Sequence, residues 1–586
     1  NDGTDIYVAK LSASGANLLG STYIGGSGND GINYNVSNVN SSDSLLYNYG
    51  DYFRGEIMLD ATNNVYVGSC SRSSDFPTLN AFQNTMNGVY DGVVFKLDNN
   101  LQNLDFSTYL GGSSNDAIYS VKINENNQVV VAGGTVSADF PNTLGVHQES
   151  FQGGQADGFL SILSTDGSSL VASTFIGTPE YDQNYFIEID RWNNIYTLGQ
   201  TQGTQAISSD VYSNPNSGQF LTKFSPDLTT MDLYTEFGNG DGEIDISPSA
   251  FLVDFCGNVY VSGWGARINP NGTPMTGMPI SSNAFQPNSP NGFDFYLIVL
   301  SRNFEDLLYG SYLGGNQARE HVDGGTSRFD KNGVVYQSVC GGCGNHSDFP
   351  TTPGAVSDTN LSSNCNNLVF KFDFEIVPRA DFKVDNLEGC APLLITFDNE
   401  SNDTLASVWT LPSGTGINQI EGGVNPVLEF ITPGTYEVVL SITDPICNLQ
   451  DTAKKIITIY PPQTLEVSND TVLCNYDDNP LSILATSYGT ASVYTWATDL
   501  EFTNIILSGP TDSILSVVPI ETTTYYVHIT NGSPSCDLID SVKVLFNVSM
   551  PQDTAICRGD TLALFSKYAP GEVSSFNWSP EVIFES

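Results

Sequence analysis

Positively charged side chains are scarce in this sequence, because only 20 lysines and arginines face 65 aspartates and glutamates. The formal net charge of −45 at pH 7 repels phosphate backbones and anionic lipid surfaces. No apolar run approaches the roughly 20 residues that a membrane-spanning helix needs. We therefore expect no nucleic-acid binding and no membrane insertion of this segment.

Long helix-forming stretches are also few, whereas the chain contains 55 glycines, 28 tyrosines and 32 phenylalanines. This composition is typical of many short strands joined by tight turns. A length of 586 residues exceeds what one hydrophobic core supports. The sequence therefore predicts an all-β protein with several domains.

A strand pattern recurs through the first 375 residues, beginning in most copies with an acidic residue and often ending in Lys-Leu or Lys-Phe. Its copies lie at 5–11, 91–97, 157–163, 218–224, 294–300 and 367–372. A second strand ending in glycine follows most copies, and then a hairpin whose turn contains Asp, Asn or Gly. Repeated four-stranded units of this kind are typical of propeller blades, whose radial arrangement hides most strand edges. The alternative is a β-helix, but its coils are much shorter than these units. We predict a β-propeller of six or seven four-stranded blades over residues 1–376.

A different repeat, Cys…Trp…Cys, begins after Pro378. Its copies are Cys390–Trp409–Cys447, Cys474–Trp496–Cys536 and an incomplete Cys557–Trp578. This spacing is typical of immunoglobulin-like β-sandwiches, in which the indole packs on an inter-sheet disulfide. We predict sandwiches at 377–461 and 462–549 and the truncated start of another at 550–586, with disulfides Cys390–Cys447 and Cys474–Cys536.

Disulfides persist in oxidising compartments, so the cysteine pattern indicates an exported protein located outside the cell or on its surface. The sequence begins inside one repeat and ends inside another. We therefore expect it to be an internal piece of a longer protein, with targeting segments beyond its ends.

Both repeats resemble known families of exported bacterial proteins. The first is similar to SBBP propeller repeats, and segments 320–333 and 339–355 resemble the last such units in Bacteroidetes surface proteins. Segments 390–401 and 431–444 resemble a PKD domain, although WTLPSG at 409–414 departs from the usual Trp-x-Phe-Gly-Asp-Gly. The resemblance implies a gliding-motility-associated surface protein exported by the type IX system. Its implied partners are the type IX and outer-membrane machinery and surface glycans or proteins.

One cysteine-rich segment permits two interpretations. Cys340, Cys343, His346 and Cys365 have the residue types of a tetrahedral zinc site. In an exported protein the favoured interpretation is a disulfide between Cys365 and either Cys340 or Cys343, which would pin the loop between two strands.

Acidic or amide residues recur once per unit in the hairpin turns: Asp60, Asn124, Asp190, Asp254 and Asp330. Oxygen ligands at regular spacing would suit calcium. The favoured interpretation is that each side chain accepts backbone N–H bonds and stabilises its turn. We accordingly expect no cofactor.

The densest group of titratable residues in the propeller region lies at 319–323. We take Trp264, Arg267, Arg319, His321 and Asp323 as a candidate binding face. No Ser/His/Asp order and no paired-carboxylate motif accompanies them, so no catalytic residue is assigned.

Asp followed by Ser or Thr and then an aliphatic residue or Ala resembles the O-glycosylation sequence of Bacteroidetes exported proteins. The acceptors implied are Ser44, Thr404, Thr452, Thr471, Ser513, Ser541, Thr554 and Thr561. The alternative is that Asp-Ser and Asp-Thr make ordinary local turns where strands begin.

These features favour a non-enzymatic exported surface protein, with a propeller head on an immunoglobulin-like stalk, for adhesion, glycan or protein binding, or surface assembly. One alternative is an extracellular glycan-active enzyme whose site lies on the propeller. The other is a structural subunit of a surface filament.

Overall fold

The computed structural model describes residues 3–32, 45, 47–48, 50–265, 274–322, 327–402, 407–414, 416–445, 447–473, 479–488, 493–530 and 536–546. The chain forms two compact units, Asn1–Val377 and Pro378–Ser586. Their boundary lies one residue from the domain boundary expected from the change of repeat.

The N-terminal unit is built from small antiparallel sheets, here numbered I to VI in chain order. Sheet I has two strands, β1 (Ile6–Leu11) and β2 (Leu18–Ile24). Sheet II contains β3 (Glu56–Leu59), β4 (Val65–Ser71), β5 (Asp91–Leu97) and β6 (Leu104–Leu110). Sheet III contains β7 (Asp116–Ile123), β8 (Val129–Thr135), β9 (Asp157–Leu163) and β10 (Leu170–Ile176).

The next three sheets continue the same pattern. Sheet IV contains β11 (Asp182–Ile189), β12 (Ile195–Thr201), β13 (Gln219–Phe224) and β14 (Met231–Phe237). Sheet V contains β15 (Ser247–Val253), β16 (Val259–Trp264), β17 (Phe295–Leu300) and β18 (Leu307–Leu313). Sheet VI contains β19 (Arg319–His321), β20 (Arg328–Phe329), β21 (Val335–Cys343) and β22 (Asn366–Phe372), with β19, β20 and β22 all paired to β21.

Each repeated strand pattern becomes a strand because its residues alternate between the two faces of a sheet and its turns have the right chemistry. The third turn residue after the recurring Asp or Asn adopts a left-handed backbone, which Asn and Gly tolerate best. The positions are Asn63 (φ 63°), Asn127 (57°), Asn193 (68°), Gly257 (87°) and Gly333 (79°). The same turn therefore closes one hairpin in each of sheets II to VI.

Consecutive sheets pack face to face across separate apolar cores. Between sheets II and III, for example, Val94 and Phe106 meet Ile118, Val121 and Phe159. Equivalent cores lie between sheets I and II, III and IV, IV and V, and V and VI. No closed ring of sheets is detected among the described residues, so the propeller remains a prediction.

The C-terminal unit contains two β-sandwiches. In the first, one sheet has the order β23 (Phe382–Val384), β25 (Leu393–Asn399), β28 (Val427–Phe430), β27 (Ile417–Glu421). The other has the order β24 (Glu388–Cys390), β30 (Gln450–Tyr460), β29 (Gly434–Thr443), β26 (Ser407–Thr410).

The second sandwich has a three-stranded and a five-stranded sheet. The smaller sheet has the order β31 (Thr464–Val467), β33 (Leu481–Tyr488), β36 (Ile514–Val517). The larger has the order β32 (Thr471–Leu473), β38 (Leu538–Phe546), β37 (Thr523–Thr530), β34 (Val493–Ala497), β35 (Ile505–Gly509).

A tryptophan packs into the core of each sandwich, as the repeat predicts. The Trp409 ring contacts the rings of Phe382 and Phe397, with centroids 5.0 and 6.0 Å away. Trp496 is fully buried, and its indole N–H donates to the Asp512 carbonyl at 2.8 Å. The structure thus confirms immunoglobulin-like sandwiches in the coarse sense of two packed, mainly antiparallel sheets with a tryptophan in the core.

Candidate functional site

A disulfide joins the two sandwiches. The sulfur atoms of Cys390 and Cys536 are bonded, and their Cα atoms are 5.5 Å apart. The predicted pairs Cys390–Cys447 and Cys474–Cys536 are therefore wrong.

The strand register explains why neither sandwich closes its own disulfide. Cys390 pairs with Tyr460 at the end of β30, whereas Cys447 lies in the turn just before β30 begins at Gln450. Ten residues of strand separate these positions, which amounts to about 33 Å, far beyond the reach of a disulfide.

The second sandwich has the same arrangement. Cys536 lies two residues before β38, while Leu473, next to Cys474 in the sequence, pairs with Phe546 at the other end of that strand. Cys474 itself lies outside the described residues. The Cys…Trp…Cys period therefore places its cysteines at opposite ends of a sandwich, and Cys390 of the first sandwich bonds to Cys536 of the second.

The cysteine-rich segment of sheet VI forms a disulfide between Cys343 and Cys365. Cys343 ends β21 and Cys365 directly precedes β22, so the bond closes the loop between these strands. This confirms one of the two expected pairings of Cys365. It also removes two thiolates from the proposed zinc ligands Cys340, Cys343, His346 and Cys365, so these residues do not form a four-ligand site.

The recurring hairpin residues stabilise their turns. The Oδ1 atoms of Asp60, Asn124, Asp190, Asp254 and Asp330 each accept N–H bonds from the second and fourth following residues. The distances are 2.8 to 3.1 Å. This confirms the turn interpretation. These oxygens are occupied by donors, so the turns give the calcium alternative no support.

Replacement of Asp190 by Ala is expected to destabilise the N-terminal unit by about 1–3 kcal/mol, because two turn N–H groups lose their acceptor. Thermal unfolding of the full chain measures the change. Asp232→Ala is the matched control: this exposed residue lies on β14, and its loss should change stability by less than about 0.5 kcal/mol. Equal losses of stability in Asp190→Ala and Asp232→Ala would contradict the idea that the Asp190 turn stabilises the unit.

The structure does not bring all five residues of the candidate binding face together on one surface. Trp264 is 3% exposed and packs in the core between sheets V and VI, so its assignment to a binding face is wrong. Its place at the end of β16, paired with Ser247 and Phe295, directs the indole inward. The His321 ring lies 5.9 Å from it, and the exposed Arg319 guanidinium stacks on Phe293 at 4.5 Å. Arg267 and Asp323 lie outside the described residues.

The implied glycosylation acceptors differ in accessibility. Thr452 on β30 and Ser541 on β38 are exposed, whereas Thr471 and Ser513 are half-buried. The preceding Asp451 accepts the backbone N–H of Ala380 at 2.8 Å, so the Asp of this motif also stabilises the sandwich. Ser44, Thr404, Thr554 and Thr561 lie outside the described residues.

A buried polar network, which sequence reasoning missed, joins the segment before sheet II to later sheets. The Arg54 Nε donates to the buried Asp51 carboxylate at 2.8 Å, and its Nη atoms donate to Ser247 Oγ and the Pro248 carbonyl. Asn48 donates to Tyr185 Oη at 2.7 Å. Around this network lie apolar residues from several sheets, including Leu45, Tyr119, Tyr185 and Ile244. The corresponding signal in the sequence is segment 33–54, an insertion that makes its repeat unit longer than the others.

A buried carboxyl group with a second acid or a glutamine beside it recurs where one sheet leads into the next. A β-carbon at Gly111 would lie 2.6 Å from Asp91 Cγ and 2.8 Å from Asp116 Oδ2, so only glycine leaves room for both acids. Gly25 sits in the same way between Asp5 and Asp30. The later junctions place Asp157 near Asp182, Gln219 beside Asp245, and Asp294 beside Glu320. A glycine followed four or five residues later by an acid is the sequence signal that would have revealed several of them.

Burial perturbs these acids strongly. Desolvation raises the pKa of Asp116, Asp157 and Asp245 to about 7, and the pKa values of Asp30, Asp91 and Asp182 also rise for this reason. Hydrogen bonds oppose the effect: Asp116 accepts bonds from Gly112 N, Thr135 Oγ1 and Ser137 Oγ. The recurring acids therefore belong to the packing of the unit.

The described residues include no helix with the length and apolar character that crossing a membrane requires.

No protein-family profile matches the chain, and no curated protein is similar to it. The chain is similar to extracellular domains 3–5 of Drosophila OTK at 9% identity and a TM-score of 0.22, covering 42% of this chain and 83% of that one. It is also similar to fibronectin(III)-like modules of Clostridium thermocellum CbhA at 12% identity and a TM-score of 0.17, covering 29% and 94%. Rst D1-D2 is 10% identical with a TM-score of 0.18, covering 29% and 99%. Likenesses this low assign the chain to no family.

Proposed function

We propose that this chain is part of an exported, non-enzymatic surface protein that mediates adhesion by binding surface glycans or proteins. In this proposal the N-terminal unit is a β-propeller that contacts the ligand. The tandem sandwiches form the connecting segment.

The observation that carries the proposal is the Cys390–Cys536 disulfide between consecutive sandwiches. Such a bond persists in an oxidising compartment, which supports export. It also joins neighbouring sandwiches across their interface, so the pair resists separation under load. A connecting segment of a surface protein needs this property.

The packing of sheets I to VI supports the propeller. Sheets II to V are four-stranded with their strands in chain order, and stacking such sheets face to face is the building plan of propeller blades. The buried cluster around Leu45 and Tyr185 gathers residues from several sheets, as residues near a propeller axis do.

The recurring acids support a non-enzymatic role. Those of the hairpins accept backbone N–H bonds, and those of the junctions are buried among the sheets. Neither set is placed to transfer protons to a substrate, which requires contact with it.

The same proposal includes export by the type IX system of a gliding bacterium and O-glycosylation at the exposed Thr452 and Ser541. Both parts are based on the resemblance of the repeats and motifs to those of Bacteroidetes exported proteins.

The test measures binding of the labelled full chain to an array of immobilised glycans and glycoproteins, with analysis of released products. We expect binding without product release, and a loss of about tenfold or more in Arg319→Ala, equivalent to about 1.4 kcal/mol. Arg191→Ala, at an exposed site on a hairpin of sheet IV, is the matched control and should bind normally. Release of sugar would favour the enzyme, concentration-dependent self-assembly would favour the filament subunit, and binding to nothing on the array would contradict adhesion.

A further inference from the structure

The junction between sheets V and VI contains two carboxyl groups that are completely buried. Asp294 directly precedes β17, and Glu320 lies in the middle of β19. Both residues are 0% exposed, and their side chains are within hydrogen-bonding reach of each other. Two ionised carboxylates at this distance in a buried site would repel strongly.

Among the described residues, three of their four oxygens also lack partners, whereas Asp294 Oδ2 accepts a bond from Gln286 Nε2 at 3.4 Å. No hydrogen bond of normal geometry from the described residues reaches either carboxyl oxygen of Glu320 or Oδ1 of Asp294. Buried polar atoms in proteins are nearly always hydrogen-bonded, so a donor is missing from this pair. A proton on one of the two acids supplies that donor.

The preceding junction of the same chain shows a neutral donor in this position. Gln219, which begins β13 as Asp91 begins β5, takes the place of the first acid and faces Asp245. With its amide oriented so that both atoms find partners, Nε2 donates to Asp245 Oδ2 at 3.2 Å and to the Phe237 carbonyl at 3.1 Å, and Oε1 accepts from the Asp245 backbone N–H at 2.7 Å. Glutamine therefore presents both a donor and an acceptor to the facing acid. A protonated carboxyl group also presents a donor and an acceptor, so it can make the same kind of pair.

We propose that Asp294 and Glu320 share one proton, so that the junction between sheets V and VI is stable in acid and weakens in alkali. The proton lies between the two carboxyl groups and gives the pair a single negative charge. The Gln219–Asp245 pair has the same charge when Asp245, whose pKa burial raises to about 7, is ionised.

The surroundings of the pair favour the proton. Burial raises the pKa of Glu320 to about 8, with the charge of Asp294 as the next cause. Burial also raises the pKa of Asp294 to about 6. The other charged or titratable groups nearby are Asp348, whose charge adds to both shifts, and Arg319 and His321, the neighbours of Glu320 on β19. Backbone amides of Gly315 and Gly342 oppose the shift of Glu320 without cancelling it.

The direction of the pH effect follows from these shifts. An unfolded glutamate has a pKa of about 4.3, so the folded state binds the proton more tightly than the unfolded chain. The contribution of the pair to stability is complete below about pH 4 and is lost as the pH rises through the folded pKa of about 8.

The test compares thermal unfolding of the full chain at pH 5 and pH 9 for wild type and Glu320→Gln. Glutamine reproduces the Gln219–Asp245 arrangement, so we expect similar midpoints at pH 5 and a midpoint about 2–4 °C above wild type at pH 9. Glu125→Gln, at an exposed hairpin position of sheet III, is the matched control and should leave the pH dependence unchanged.

A spectroscopic readout separates proton sharing from a purely structural effect. At pH 7 the infrared difference spectrum of wild type minus Glu320→Gln should contain a protonated carboxyl band, because the bands of Asp116, Asp157 and Asp245, whose pKa values burial raises to about 7, are common to both proteins and cancel. Asp294→Asn, which keeps a neutral donor facing Glu320, should also reduce the pH dependence and serves if the first variant does not fold. An unchanged pH dependence with an unchanged carboxyl band would overturn the proposal. So would stabilisation of wild type by Ca²⁺ that EDTA reverses and Glu320→Gln abolishes, because a cation would then hold the pair.

Discussion

Cleavage of the chain between the two sandwiches is expected to leave the fragments joined until a reductant is added. The site is a specific protease sequence inserted between Pro462 and Gln463, in the short link between β30 and β31. Because Cys390 and Cys536 lie on opposite sides of this link, their disulfide holds the fragments together. The measurement is a denaturing gel of the cleaved chain with and without reductant.

The variants make the experiment decisive. Cys390→Ser should release the fragments without reductant, whereas the control Cys365→Ser, which breaks the loop disulfide of sheet VI, should leave them joined. Fragments of the wild type that separate in the absence of reductant would contradict the bond. Loss of the bond should also destabilise the sandwiches by about 5 kcal/mol, since it closes a chain loop of 146 residues.

Removal of the Arg54 side chain is expected to destabilise the N-terminal unit by about 3–5 kcal/mol, because it leaves the buried Asp51 carboxylate without its cation. Arg54 also stacks on the Tyr185 ring at 4.5 Å and bonds to Ser247 and Pro248, so Arg54→Ala detaches the segment before sheet II from sheets IV and V. Thermal unfolding of the full chain measures the loss.

Two further variants identify the cause. Arg54→Lys retains the positive charge but not the planar guanidinium group with its several N–H donors. We therefore expect a loss of stability between those of wild type and Arg54→Ala. Asp51→Asn with Arg54→Ala should be less unstable than Arg54→Ala alone, since the unpaired charge is then removed. A double variant that is no more stable than Arg54→Ala would show that the buried charge is not the reason for the loss.

Much of the fold was predictable because it depends on local rules. Strand patterns such as 91–97 and 294–300 became β5 and β17, since short runs rich in aliphatic and aromatic residues form strands where both of their faces are buried. Asp190 and its counterparts were correctly interpreted as turn residues, because their partners lie two and four residues away in the chain.

The candidate site was less predictable because its members are distant in sequence. Trp264 was assigned to a binding face but is buried, since the packing of sheet VI on sheet V decides its surroundings. Asp294 and Glu320 were not identified as a pair, because each looks like an ordinary acid until two sheets bring them together.

The sequence by itself determined an all-β chain, the place of its hairpin turns, the change of repeat near residue 378 and the period of its cysteines and tryptophans. The tertiary structure alone decided which cysteines bond. Spacing places Cys390 and Cys447 within one repeat, but the register of β24 and β30 puts them at opposite ends of a sandwich, and Cys390 bonds to Cys536 of the second sandwich. The repeat period shows which residues occupy equivalent positions in successive domains. Their covalent and electrostatic partners depend instead on which strand ends lie next to each other in the folded chain.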